Sequence, residues 1–224
     1  MKRSAGRELM DDPVQSVHEL EQNLRDIERA NRYLGGIAPV QAAIFSFGAK
    51  SVLDIGCGSG DIALALAEHA QDQCRELSVT CLDISEQMLQ IARTRTANHP
   101  ALRFVQGDGA RLPFEDGSFD VAMCNLALHH FDPPSAVALL TEMRRVSRIS
   151  PLVCDLRRSW IGYAGAVLFS RLTTANRLTR HDAPLSMLRA YTTREALLLA
   201  KGAQWHHPKV TSAPFYRMVL VDAV

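Results

Sequence analysis

Val52, Leu53 and Ile55 form a short apolar run that ends in Gly56, Gly58 and Gly60, and the stretch from Ile62 to Ala67 then turns to strong helix formers. A run of that length fits a strand buried on both faces, and the change of period marks a strand-turn-helix unit. The rhythm repeats. It predicts strands near 51–55, 77–82, 102–106, 119–125 and 151–156, and helices over 61–70, 85–97 and 134–148. Upstream, Val17, Leu20, Leu24, Ile27 and Leu34 recur at helical spacing, with Asp11-Asp12-Pro13 as a start signal and Gly35-Gly36 as a stop; a second helix follows over 39–47. Downstream, residues 158–191 carry Trp160, Tyr163, Phe169 and Tyr191 without a strand pattern and read as one or two helices laid over the sheet's edge. Thr192 to Gly202 reads as a capped helix, with Thr192 as N-cap, Glu195 three residues on and Gly202 as C-cap. Two β runs follow, 206–211 and 216–221.

Strand and helix in alternation imply a parallel sheet with both faces covered. The expected architecture is α/β: a Rossmann-like, doubly wound, mostly parallel seven-stranded sheet with an N-terminal helical extension and a helical lid after the fifth strand. One domain spans 1–224, divided into leading helices (1–47), a core (48–156), a lid (157–191) and a last helix with two strands (192–224). At 224 residues the chain suits one α/β domain with appendages.

Charge narrows the partners. Lys and Arg total 25 against 24 Asp and Glu, without long runs of one sign, so the footprint of a nucleic-acid binder is missing. Met1 to Asp12 is polar, which argues against a secretory signal, and the longest uncharged run, Ser159 to Ser170, is too short to cross a bilayer. The five cysteines are odd in number and lack metal-ligand spacing. Together these features predict a reduced cytoplasmic protein, monomer or homodimer, with inert thiols, no metal, no nucleic acid and no integral membrane association.

The glycine turn carries the chemistry. Its order is G-x-G-x-G, with Asp61 where a dinucleotide fold places its last glycine, and Asp54 stands two residues before Gly56. Two carboxylates beside a loop repel a pyrophosphate and suit a cation. S-adenosylmethionine, with an ammonium, a sulfonium and no phosphate, fits that surround better than NAD or FAD. Asp83, 23 residues after Gly60, stands where an acid accepts from both ribose hydroxyls; as the alternative it is an N-cap, a task Ser85 can perform itself. Asp108, in Gly107-Asp108-Gly109-Ala110, can accept from an adenine amino group while Gly109 lets the ring lie close. Asp116-Gly117 reads as an ordinary turn. The fourth strand ends in Asn125-Leu126-Ala127-Leu128-His129-His130-Phe131-Asp132-Pro133, where a loop faces both cofactor and acceptor. Either histidine could serve as a general base; the alternative is that both are structural.

Val52 to Asp61, Leu82 to Ser85, Gly107 to Ala110 with Leu112-Pro113-Phe114, and Phe119-Asp120 through Phe131 together resemble the class I S-adenosylmethionine-dependent methyltransferases. The nearest likeness is to the small-molecule branch, which includes quinone-biosynthesis C-methyltransferases and natural-product O-methyltransferases, and it covers about residues 48–156. The resemblance implies that Asp54 and Gly56, with Cys57, Gly58 and Gly60, line the methionine end of the cofactor. It implies that Asp83 holds the ribose beside Ile84 and Met88, that Gly107, Asp108, Gly109 and Ala110 frame the adenine, and that Asn125 offers its carbonyl, with Leu126 and His130 alongside. Some sugar O-methyltransferases with a similar Leu-His-His use such histidines, with an acid after the fifth strand, for proton transfer; His129, His130 and Asp155 occupy matching places.

The flanks add two readings. Arg29 or Arg32 could clamp the cofactor's carboxylate from the leading helix, against a solvated helix face as the alternative, and His181-Asp182 could face the substrate or mark a helix boundary before Pro184. Methyl transfer is an in-line displacement that needs alignment more than a catalytic triad. An apolar lid of Trp160, Tyr163, Phe169 and Met187 suits a flat, mostly apolar or aromatic acceptor, with O-methylation expected and C-methylation open. The competing readings are a silent cofactor-binding partner or regulator and an NAD-type oxidoreductase.

Overall fold

Strands buried on both faces build the centre of the sheet. The computed structural model describes residues 1–12 and 14–223, and among these seven strands form one sheet: β1 (Ser51–Ile55), β2 (Ser78–Asp83), β3 (Leu102–Gln106), β4 (Phe119–Asn125), β5 (Ser147–Leu156), β6 (Pro208–Ala213) and β7 (Arg217–Asp222). The order is β3-β2-β1-β4-β5-β7-β6. The first five strands are parallel, and β7 runs antiparallel to both β5 and β6. Eight α-helices pack around them among the described residues: α1 (Val17–Tyr33), α2 (Ala38–Ser46), α3 (Asp61–Asp72), α4 (Glu86–Arg95), α5 (Pro133–Val146), α6 (Trp160–Thr173), α7 (Arg177–Arg189) and α8 (Thr193–Gly202).

Side chains of one strand feed two cores. Leu53 and Ile55 point to a layer holding Leu139, Leu140 and Met143 of α5 and Trp205, while Val52 points to the opposite layer with Val40, Ile44, Ala63 and Leu66. Trp205 also donates its indole N–H to the Leu140 carbonyl at 2.9 Å, so its one polar atom is satisfied inside the apolar layer. Because β1 lies between β2 and β4, the chain reverses direction across the sheet at its centre. A crevice at the carboxyl ends of β1 and β4 is the geometric result.

A third cluster, Leu20, Leu24, Met88, Ile91 and Leu178, fastens α1 to α4 and α7. The leading helix is therefore part of the wall around the crevice. It begins later than Asp11-Asp12-Pro13 implies. Leu9–Asp11 form a 3-10 turn, Ser16 caps α1 by accepting from the Glu19 amide, and Pro13 lies outside the described residues. Two other boundaries differ. Strand β5 starts at Ser147, directly after α5, because the Ser147 hydroxyl satisfies both the Met143 carbonyl and the Ala122 amide at the junction. Gly202 is the last residue inside α8, and Ala203 is the C-cap.

Between β5 and α8 the chain forms two helices, α6 and α7. Gly162 is closely packed there, since a Cβ would lie 2.2 Å from Met187 Cε and 3.0 Å from the Tyr216 ring. The aromatic residues divide differently from the expectation of a uniform lid. Trp160 is 65% exposed and Tyr191 is buried, with its hydroxyl donating to the Phe131 carbonyl at 2.8 Å. Replacing Leu140, which is fully buried, with Ala leaves a cavity between α5 and the sheet; the expected loss is about 2–5 kcal/mol, read as a lower urea midpoint.

Candidate functional site

The turn after β1 has the backbone its glycines allow. Gly56 (φ +70°) and Gly58 (φ +52°) are both left-handed, and the Gly56 and Cys57 amides donate to the Leu82 carbonyl at 2.8 and 3.1 Å. The two glycines serve different ends. A Cβ on Gly56 would meet Ala127 Cβ at 2.8 Å, whereas one on Gly58 would meet nothing within 4 Å, so Gly58 borders open space. Gly109 and Gly107 make room for packing instead. Cβ atoms there would crowd Ile55 Cγ2 at 2.8 Å and Leu82 Cδ1 at 3.0 Å, so the glycine at 109 also serves the core beneath the site.

Three carboxylates surround the turn. Asp83 accepts from the Gly58 amide through Oδ2 and the Ser85 amide through Oδ1, both at 3.0 Å, and Ser85 itself caps α4 by accepting from the Met88 amide. Asp83 thus stiffens the turn while its remaining lone pairs face the crevice. Asp61 accepts from Asn31 Nδ2 at 2.9 Å, which ties the turn to α1. Asp54 is buried, and burial, then the charges of Asp61 and Asp83, push its carboxyl up to about 8. An acid in that state gains from any cation placed beside it.

These groups open on one cavity of about 1350 Å³, whose wall includes Asp54, Gly56, Cys57, Gly58, Asp83, Ile84, Met88, Gly107, Asp108, Gly109, Asn125, Leu126 and His130. Gly60 and Ala110 lie behind that wall: Gly60 is the left-handed N-cap of α3, and the Ala110 amide closes a turn on Asp108 Oδ1 at 2.9 Å. Leu126 holds a left-handed backbone (φ +52°), a strained conformation for a branched residue, at the point where β4 leaves the sheet. Asn125 Oδ1 is buried without a hydrogen-bond partner, an acceptor left for a ligand's donor. Arg32 does not reach the cavity: its side chain is 63% exposed and pairs with Glu28 at 3.6 Å on the solvent face of α1. Arg29, in the wall, is paired with Asp26.

The paired histidines separate. His129 is buried, with Nδ1 on Asp155 Oδ1 at 2.7 Å, its backbone amide on Asp155 Oδ2 at 2.9 Å, and Nε2 3.5 Å from Glu8 Oε1. Burial opposes a charge there, yet Asp155 and then Glu8 outweigh it and hold the imidazole up to about 10; His129 is therefore already protonated at neutral pH and is no free base. Burial likewise opposes charge on Glu8, but His129, then His130 and Ser186, draw it down to about 2. Asp155 lies behind His129, outside the cavity wall, so it positions the imidazole. His130 is the partly exposed one, with Nδ1 on Asp11 Oδ2 at 3.0 Å.

Residues 3–12 form a strap that sequence patterning did not disclose. Arg3 donates to the carbonyls of Arg189, His129 and Phe131, and Arg189 donates to those of His129 and His130. Asp182 accepts from the Leu9 and Met10 amides at 2.8 and 3.0 Å, so it fixes the strap, and Pro184 lies inside α7 instead of ending it. Local sequence offers no signal for Glu8, because its partners are more than a hundred residues away.

Residues 52–149 match a family described as a methyltransferase domain. That stretch is somewhat under half of the chain, and over it the core is similar to methyltransferase domains. Demethylmenaquinone methyltransferase of Staphylococcus epidermidis is 36% identical over 110 residues, 49% of this chain and 44% of that protein, so the shared region spans less than half of the relative. Two solved structures share the fold. A SAM-dependent methyltransferase from Aquifex aeolicus superposes with a TM-score of 0.65 at 16% identity, covering 92% of this chain and 97% of that one. Human N-acetylserotonin methyltransferase in complex with SAM gives 0.68 at 16% identity over 93% of this chain and 56% of that one.

The lining suits S-adenosylmethionine by its chemistry: an acidic turn, the Asp83 carboxylate, an unpartnered Asn125 acceptor and the open face of Gly58. Gly58→Ala is expected to cost about 1–2 kcal/mol of stability for its left-handed backbone and to abolish cofactor affinity as its Cβ enters the cavity. Gly56→Ala costs more stability because it also meets Ala127. Urea midpoints and cofactor titration of the two variants check the order.

Proposed function

We propose that this chain transfers the methyl group of S-adenosylmethionine to an oxygen of a small, mostly apolar or aromatic metabolite. The observation that carries the reading is the continuity of the cavity. It runs from the acidic turn at Asp54 and Asp83, past a polar wall of Glu8, Asp11 and His130, to apolar surface from Phe169 and Met187 with Phe215 beyond. A chamber of about 1350 Å³ exceeds the usual span of about 300–1,000 Å³ for a single small ligand, and suits donor and acceptor together.

When bound, the cofactor supplies a methyl group made electrophilic by its sulfonium. The chain's residues do the rest. Asp54 and Asp61 offer charge to the ammonium, Asp83 accepts from the ribose hydroxyls, and Asn125 accepts from a donor deeper in the crevice. The inner face of α6, with Gly162, Gly165, Ala166 and Phe169, lies against the acceptor end, so α6 and α7 act as a lid that excludes water. Trp160 and Tyr163, on the outer part of α6, are outside that wall. Holding nucleophile and methyl carbon in line can supply roughly 7–11 kcal/mol of the barrier in well-oriented cases. A hydroxyl acceptor must also lose its proton, and Glu8, Asp11 and His130 make the polar wall through which it leaves. The demethylmenaquinone named for the Staphylococcus relative supports a flat, mostly apolar acceptor.

Because Asp54 is protonated at pH 7 in the free protein, a cation bound beside it releases that proton. Calorimetric titration with S-adenosylmethionine in two buffers of different ionisation enthalpy should show release approaching one proton at pH 7, and close to none for Asp54→Asn. Asp83→Asn should weaken binding about 10–100-fold, as for a lost hydrogen bond to a charged group. Binding of NAD without S-adenosylmethionine overturns the reading. With a panel of phenols, the methylated product should carry its new methyl on oxygen by NMR; a new C–CH3 moves the assignment to carbon, and intact binding without turnover on any acceptor supports the silent-partner reading.

A further inference from the structure

Three metal-ligating side chains from two distant parts of the chain meet at the acceptor end of the cavity. His129 Nε2 lies 3.5 Å from Glu8 Oε1, and His130 Nε2 lies 3.7 Å from Glu8 Oε2. One donor atom from each residue falls within 4.8 Å of the others. Both separations are long for hydrogen bonds, which cluster at about 2.9–3.0 Å. They are close to the spacing of two ligands on one ion, since bonds of about 2.0–2.1 Å at tetrahedral angles place ligand atoms roughly 3.3 Å apart.

The surroundings strengthen the case. Each imidazole has its other nitrogen anchored on a carboxylate: His129 Nδ1 on Asp155 Oδ1 at 2.7 Å and His130 Nδ1 on Asp11 Oδ2 at 3.0 Å. That is how ligating histidines are oriented, with the second carboxylate fixing the tautomer and presenting Nε2 to the ion. Glu8 cannot easily turn away, because Ser186 Oγ donates to its Oε1 at 2.9 Å. Glu8, His129 and His130 all border the cavity.

We propose that Glu8, His129 and His130 bind a divalent first-row transition cation of the zinc type, whose open coordination positions face the cavity and take the acceptor's oxygen. Two imidazoles and one carboxylate suit such an ion and are a poor set for magnesium or calcium, which prefer all-oxygen ligands. The ion takes the place of the proton that His129 carries without it, and that proton leaves to solvent as Nε2 becomes the ligand. With the ion in place, the acceptor hydroxyl gives up its proton to solvent more readily; its oxygen then forms the O–CH3 bond as the S–CH3 bond breaks, and the sulfonium leaves as a neutral thioether. The acceptor's role rests on the O-methylation reading above, while binding of the ion does not.

The test uses the full chain, freed of metal with a chelator and titrated with Co2+ in the absence of cofactor and acceptor. One equivalent should bind with the visible absorption of a four- or five-coordinate site, and Zn2+ should displace it. Glu8→Gln, which keeps the shape, and His130→Ala, at a partly exposed position, should each weaken binding at least tenfold, in line with the roughly 10–100-fold effects seen on disturbing metal sites. His206→Ala with His207→Ala, an adjacent exposed pair, should leave it unchanged. Absence of a site tighter than millimolar, or affinity unaltered in Glu8→Gln and His130→Ala while both variants keep the wild-type circular dichroism, overturns the proposal. Full-rate O-methylation by chelator-treated protein also overturns it and leaves the methylation reading standing. Stoichiometric Co2+ binding in a protein that methylates no hydroxyl supports the site and removes the methylation reading instead.

Discussion

His129 sits in the interior between Asp155 at the end of β5 and Glu8 on the strap, and much of the acceptor side depends on that arrangement. A buried charge is expensive unless its partners are held in place, and removing one partner of such a set typically costs several kcal/mol because the other charges remain stranded. Here the three groups come from residues 8, 129 and 155, so satisfying them draws the strap onto the sheet and sets the loop after β4. Arg3 and Arg189 then close over the carbonyls of that loop. Ser186 and His130 complete the surroundings of Glu8 in the polar wall of the cavity.

The donor side rests on an opposite device. Instead of satisfying its charges internally, the turn after β1 gathers Asp54, Asp61 and Asp83 and leaves Asp54 protonated by burial and by mutual repulsion. A site that is strained in its charge when empty favours a cationic ligand, and the glycines let that ligand approach the backbone. Between the two ends, Leu126 and Asn125 leave β4 with one strained backbone and one unpartnered acceptor, the sort of local cost that a ligand offsets.

Local pattern made the sheet, the helices and the donor turn legible. The apolar run Val52 to Ile55 and the glycines after it specify a strand end and a turn within ten residues, and Thr192 with Glu195 forms its capping box as the spacing implies. Boundaries slipped where a side chain settled them: Ser16 caps α1 in place of the acidic start signal, and Ser147 joins α5 to β5. Arg32 was plausible as a clamp on composition alone, but helix phase turns it outward to Glu28. The lid aromatics divided for the same reason: Phe169 faces the cavity, whereas Trp160 and Tyr163 lie outside its wall.

The sequence by itself determined the strand order's building blocks and the acidic character of the turn after β1, because both are written in neighbouring residues. It also placed His129 and His130 just beyond the end of β4, where both border the cavity. Only the tertiary structure decided what those histidines are. Glu8 is separated from His129 by more than a hundred residues, and a charge state, a ligand set or a wall of the cavity depends on distances in space that no local spacing encodes.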